Sequence, residues 1–143
     1  MKSKALGDDG ERTNVLVFET GDRVMDGLLS FAKARGLTAG HFTGLGAFGG
    51  VTLGYFDWET KDYSRIEIRD QVEVLSLVGD IALENDAPKV HAHVVVGKAD
   101  GTAHGGHLIE AHVRPTLEVI LAEPPGHLRR QFDRDSGLAL IRL

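Results

Sequence analysis

The stretch from Val90 to His112 restricts the possible folds more than any other. It reads Val-His-Ala-His-Val-Val-Val-Gly, then Lys-Ala-Asp-Gly-Thr-Ala, then His-Gly-Gly-His-Leu-Ile-Glu-Ala-His, and it holds five of the seven histidines. Side chains alternate across a β-strand, so His91 and His93 point to one face while Val90, Ala92, Val94 and Val96 line the other. Asp100-Gly101 supplies the left-handed residues of a tight hairpin turn. The returning strand brings His104 and His107 towards the same place, and Gly105 and Gly106 permit close approach of the backbone. Two imidazoles on one strand face and a third from its hairpin partner make a candidate metal site. The hairpin register decides whether His104 or His107 completes it, and spacing alone leaves that open. With no cysteine in the chain, ligands are nitrogen or oxygen, and imidazole suits zinc first, then nickel or copper.

The 143 residues predict one domain with a core of its own. No apolar run approaches the ~18 residues of a membrane helix, and Met1 to Gly10 lacks the apolar centre of a signal peptide, so the expected compartment is the cytoplasm. Residues 1–12 read as a loose tail and 13–143 as the domain. The net charge of −5 argues against a protein whose main task is neutralising phosphates, since such domains are usually basic. The one concentration of positive charge is Arg129 and Arg130, with Arg134 nearby. These two are the candidate nucleic-acid contacts, for weak binding only.

Apolar alternation predicts a first strand over Thr13–Glu19. A helix follows from about Arg23 to Arg35, with Thr20 or Asp22 as its N-cap and Gly36 as its stop. Val24, Leu28 and Phe31 share one face of it. From Thr38 the pattern is β. Ala39–Leu45 and Gly50–Asp57 read as two strands, separated by glycines that imply bulges or a closely passing backbone. Tyr63–Arg69, Gln71–Leu83, the histidine hairpin, Leu108–Val113, Leu117–Ala122 after a break at Pro115, His127–Phe132 and Leu138–Leu143 complete the pattern. One helix and about eight strands joined by short connections make an α+β domain with a largely antiparallel sheet.

Six short motifs occur together in one order. They are Thr43-Gly44-Leu45-Gly46-Ala47, Val51 to Asp57, Glu73 to Gly79, His91-Ala92-His93-Val94, Gly105-Gly106-His107-Leu108 and Thr116-Leu117-Glu118-Val119. In this order the chain from Thr13 to Leu143 resembles the PPC domain (plant and prokaryote conserved), and within that family a prokaryotic single-domain member. The resemblance implies a compact α+β fold that assembles as a homotrimer. It implies a DNA-binding or regulatory role, since in plants the domain is fused to an AT-hook in nuclear proteins. No Arg-Gly-Arg-Pro core of an AT-hook occurs in these 143 residues. Carried over residue by residue, the resemblance makes His91, His93 and His107 the metal ligands. His104 lies just outside the matching motif.

Two functions follow as expectations. One is a metal-binding homotrimer with a regulatory or DNA-associated role. The other is a metal-dependent enzyme acting on a small polar substrate, because three imidazoles leave zinc a fourth position for water. His104, Glu110 and Glu118 are possible additional site residues, and Glu110, Glu118 or Asp100 is the candidate general base. A cupin, which also uses His-x-His, wants a glutamate shortly after the motif; Val94, Val95, Val96, Gly97 and Lys98 stand there instead. No serine sits at a strand-to-helix elbow of the kind a Ser-His-Asp enzyme needs.

Overall fold

A computed structural model describes residues 1–5, 10 and 12–142. The elements in chain order are β1 (Lys2–Ala5), β2 (Arg12–Glu19), α1 (Val24–Arg35), β3 (Ala39–Asp57), β4 (Asp62–Ile68), β5 (Val72–Glu84), β6 (Ala87–Gly97), β7 (Ala103–Glu123), β8 (Arg129–Phe132) and β9 (Ala139–Arg142). The strands form one sheet in the order β1-β2-β7-β3-β5-β8-β9; β4 pairs with β3, and β6 pairs with both β5 and β7. All pairings are antiparallel except a single parallel contact between Leu83 of β5 and Arg129 of β8. The expected α+β class with a largely antiparallel sheet and one helix is what forms.

Two long strands organise the sheet. The first half of β7 pairs with β6, the second half with β2, and β3 lies along most of its length. With β5 joining β3 to β6, strands β3, β5, β6 and β7 close into a ring. The inward faces supply the core: Phe42, Phe48, Leu53, Leu77, Ile81, Val96, Leu108, Leu117 and Leu121 are each at most 2% exposed.

Helix α1 packs Val24, Leu28, Phe31 and Ala32 into that core, the spacing of one helical face. It ends at Gly36, which takes φ 64°. The Gly36 and Leu37 N–H groups bond back to Lys33 and Ala32 carbonyls, a Schellman-type stop. Its start differs from expectation. Arg23 is the N-cap and makes no side-chain cap bond, while Asp22 accepts from the Glu19 N–H in the preceding turn. The cap comes from a distant strand: Glu110 of β7 accepts the Met25 N–H at 3.2 Å and pairs with Arg23 at 2.9 Å.

Three further boundaries differ. The glycine-rich stretch does not split β3; it becomes bulges around Gly46 and Phe48. There a Cβ on Gly46 would lie 2.3 Å from the Thr116 carbonyl oxygen, so the other strand's backbone is what comes close. Pro115 does not break β7. The β2 ladder ends at Thr116, and the β3 ladder skips from Leu117 to Val113, so its missing N–H leaves no ladder bond unmade. Part of the expected tail is a strand: Lys2–Ala5 pairs with Asn14–Val17 of β2. Residues 6–9 and 11 lie outside the described residues.

Candidate metal centre

Strands β6 and β7 place His93 directly opposite His107. Opposite residues of an antiparallel pair share a face, and His91, two residues before His93, lies on that face as well. One ligand atom from each of the three imidazoles falls within 4.8 Å of the others. Ring centroids are 5.1 Å apart for His91–His93 and His91–His107, and 5.6 Å for His93–His107. Nitrogens bound to zinc at about 2.0–2.1 Å in a tetrahedron sit roughly 3.4 Å apart, so small ring movements bring the set to bonding geometry. His107 Nδ1 is buried without a hydrogen-bond partner, an atom that calls for one. Burial, with His91, His93 and Lys89 adding, pushes the His107 pKa down to about 4. Burial and His91 lower that of His93. Both rings are therefore held neutral, the form that ligates. The donor set can hold a metal ion.

Three residues outside the histidine motif surround the cluster. Asp80 of β5 stands opposite His91 in register, with Oδ2 3.7 Å from His91 Nδ1. Burial raises the Asp80 pKa, but His91 and Arg130 outweigh it and leave the carboxyl below its ordinary value. A carboxylate beside a ring nitrogen is the arrangement that orients a metal-bound imidazole. Arg130 of β8 binds the other Asp80 oxygen. Tyr63 of β4 lies against His107 with centroids 4.7 Å apart. Gly54 makes that contact possible, since a Cβ there would come within 2.8 Å of the Tyr63 ring. Gly106 serves the sheet in the same way, with the Gly54 carbonyl 2.8 Å from where its Cβ would be. Asp80 was open to inference from strand pairing; Tyr63 and Arg130 are too remote in the chain for any local pattern to reveal.

The other candidate residues lie elsewhere. His104 stands opposite Val96, a core residue, so it belongs to the opposite face from His107; its Nε2 is 3.4 Å from Thr102 Oγ1. Glu110 is committed to Arg23 and the start of α1. Glu118 is exposed on β7 opposite Val17 and Leu45. Asp100 holds the hairpin turn by accepting from Thr102 N–H and Oγ1. Arg129 is exposed and paired with Asp86 at 2.6 Å. Arg130 is not placed on a surface: its side chain is 8% exposed and turned towards Asp80.

The family model of the Plants and Prokaryotes Conserved (PCC) domain matches residues 7–125. The chain belongs to this family. Among solved structures, a PPC protein from Pyrococcus horikoshii is 30% identical, with a TM-score of 0.87 over 99% of this chain and 95% of that one. A metal-containing protein from Archaeoglobus fulgidus is 32% identical, with a TM-score of 0.85 over 92% of this chain and 93% of that one. A candidate DNA-binding protein from Bacteroides thetaiotaomicron is 26% identical, with a TM-score of 0.88 over 98% and 96%. No curated protein matches the chain. As a PCC domain, its histidine cluster lies within the matched residues, whereas β8 and β9, and Arg130 with them, lie beyond.

Proposed function

We propose that this chain is a metal-binding PCC module that assembles as a homotrimer in a regulatory or DNA-associated role, with His91, His93 and His107 holding a zinc-like divalent ion. The observation that carries the reading is the convergence of three imidazoles, two of them with lowered pKa values. The metal-containing relative from Archaeoglobus fulgidus supports it. When bound, such an ion supplies Lewis acidity and a cross-link between β6 and β7. The chain's own residues orient the rings: Asp80 acts on His91, and Tyr63 packs over His107.

The trimer rests on the family and on an exposed apolar row. Ile120, Thr43, Val78 and His93 are successive partners across β7, β3, β5 and β6. Ile120 is 46% exposed and Val78 48%, with Leu45 at 64% and Val95 at 40% on the same side. Such a surface suits burial against further copies of the chain. The DNA association is carried by what relatives are called. With a charge of −5 and Arg129 and Arg130 both ion-paired, binding should be weak and indifferent to sequence.

A catalytic reading is favoured by one observation: the three histidines line an open cavity of about 500 Å³. It would suit a small polar substrate. Glu110, Glu118 and Asp100 stand outside the cluster, however, and supply it no general base.

The test is elemental analysis of protein purified without an affinity tag, beside a His91→Ala/His93→Ala double variant. About one divalent ion per chain in the parent and none in the variant is expected. Full occupancy of the double variant rules out the site.

A further inference from the structure

The cavity over the histidines has two walls of different origin. One is the histidine face itself, with Val90 beside it. The other comes from the C-terminal hairpin, which lines the cavity with Arg130, Leu138 and Leu140 and lies beyond the family match at residue 125.

Arg130 is the unusual component. Its side chain is 8% exposed. Nη1 donates to the Ala139 carbonyl at 3.1 Å and Nη2 to Asp80. Nε is buried and has no acceptor. A guanidinium carries five N–H donors, and one left buried without a partner is unfavourable. Nη1 and Nη2 each keep a second N–H beyond the one bond they make, and a cavity-lining guanidinium with donors to spare is arranged for an acceptor that arrives from outside the chain.

Charge balance specifies that acceptor. Of the charged groups lining the cavity, Arg130 is paired with Asp80, and Glu84 stands 3.7 Å from Lys89. These pairs cancel. Imidazole ligands bring no charge of their own to a metal, so a divalent ion held there would bring two positive charges that this lining does not balance. Leu138, Leu140 and Val90 add an apolar surface.

We propose that the cavity binds a small organic carboxylate with a short apolar tail, its carboxylate seated between the metal position and Arg130 and its tail against Leu138 and Leu140. This rests on the three-histidine reading. It adds the ligand class, and it assigns the selection to a hairpin outside the family-matched segment.

Cobalt(II) is the probe, because its visible spectrum reports a change in coordination without requiring any activity. Cobalt-loaded full-length protein is titrated with acetate, butyrate and, as a control, inorganic phosphate. A saturable spectral change is expected, with butyrate binding at least tenfold more tightly than acetate or phosphate. Arg130→Lys should keep its cobalt and weaken butyrate at least tenfold. Leu140→Ser leaves the Arg130–Asp80 pair intact and should erase the preference for butyrate over acetate, which keeps the test decisive if Arg130→Lys fails to fold. Bound cobalt with no response to any carboxylate overturns the proposal and leaves the metal site standing. Phosphate binding as tightly as butyrate overturns the carboxylate claim. Failure to bind cobalt at all overturns the three-histidine reading, and this proposal with it.

Discussion

His93 and His107 face each other across a strand pair, and this determines what each histidine can do. His93→Ala or His107→Ala should abolish metal binding, whereas His104→Ala, which alters the opposite face, should leave it unchanged; metal-to-protein ratios after gel filtration check all three. The pH response follows from the lowered pKa values. A histidine whose pKa is lower in the folded state loses stabilisation as pH falls, because the unfolded chain takes up the proton more readily. For His107 the affected window runs from the ordinary value near ~6.5 down to about 4. The metal-free protein should therefore be indifferent to pH above that window and lose stability within it. In His107→Ala that slope should be shallower, as read from denaturant midpoints at pH 7, 5.5 and 4.5. Metal retention should likewise extend further into acid than ordinary histidines allow, since two of the three rings resist protonation.

At the scale of elements, the start of α1 depends on a carboxylate from β7. Glu110→Ala removes the acceptor for the Met25 N–H and the partner of Arg23. A cost of about 1 kcal/mol is expected, comparable to losing an N-cap, and metal content should stay the same; chemical denaturation and elemental analysis separate the two. This contact also shows where sequence reasoning runs out. The apolar spacing of Val24, Leu28 and Phe31 and the glycine stop are local signals, and they located the helix to within a residue. A cap supplied from far along the chain leaves no local trace, whereas Thr20 and Asp22 carry the local signal of an N-cap without serving as one. Long strands behaved in the same way. Gly46 and Pro115 are ordinary breakers when read alone, yet β3 and β7 pass through them, because the register shifts beside Gly46 and the ladders skip Pro115.

For the whole molecule, Ile120 and Val78 mark the surface through which copies of the chain should meet. Light scattering should give three times the 15.5 kDa chain mass. Val78→Arg should give monomers with an unchanged circular dichroism spectrum. DNA binding, measured across salt, should be nearly gone by ~150 mM with no sequence preference. Tight selective binding would show that charge had been given too much weight. The antiparallel α+β architecture and the shared face of His91 and His93 were legible in short-range alternation, whereas spacing left His104 and His107 open and the family resemblance pointed to His107. The cavity was not legible, because Tyr63 and Arg130 come to its walls only once β4 and β8 are in place.

That contrast has a consequence for how such a domain can change. The three histidines sit on two strands joined by one tight turn, so they travel together through any duplication or recombination. The outer wall belongs to β8 and β9, a hairpin whose ladder contact with the main sheet is the bridge at Leu83, with the Arg130–Asp80 and Arg129–Asp86 pairs and a Leu128 N–H bond to the Thr38 carbonyl beside it. A terminal hairpin can be lengthened, exchanged or lost with little disturbance to the ladders that hold the ring closed. Selection could then replace what lines the cavity while leaving the histidine cluster intact, and relatives with the same histidines need not share a ligand.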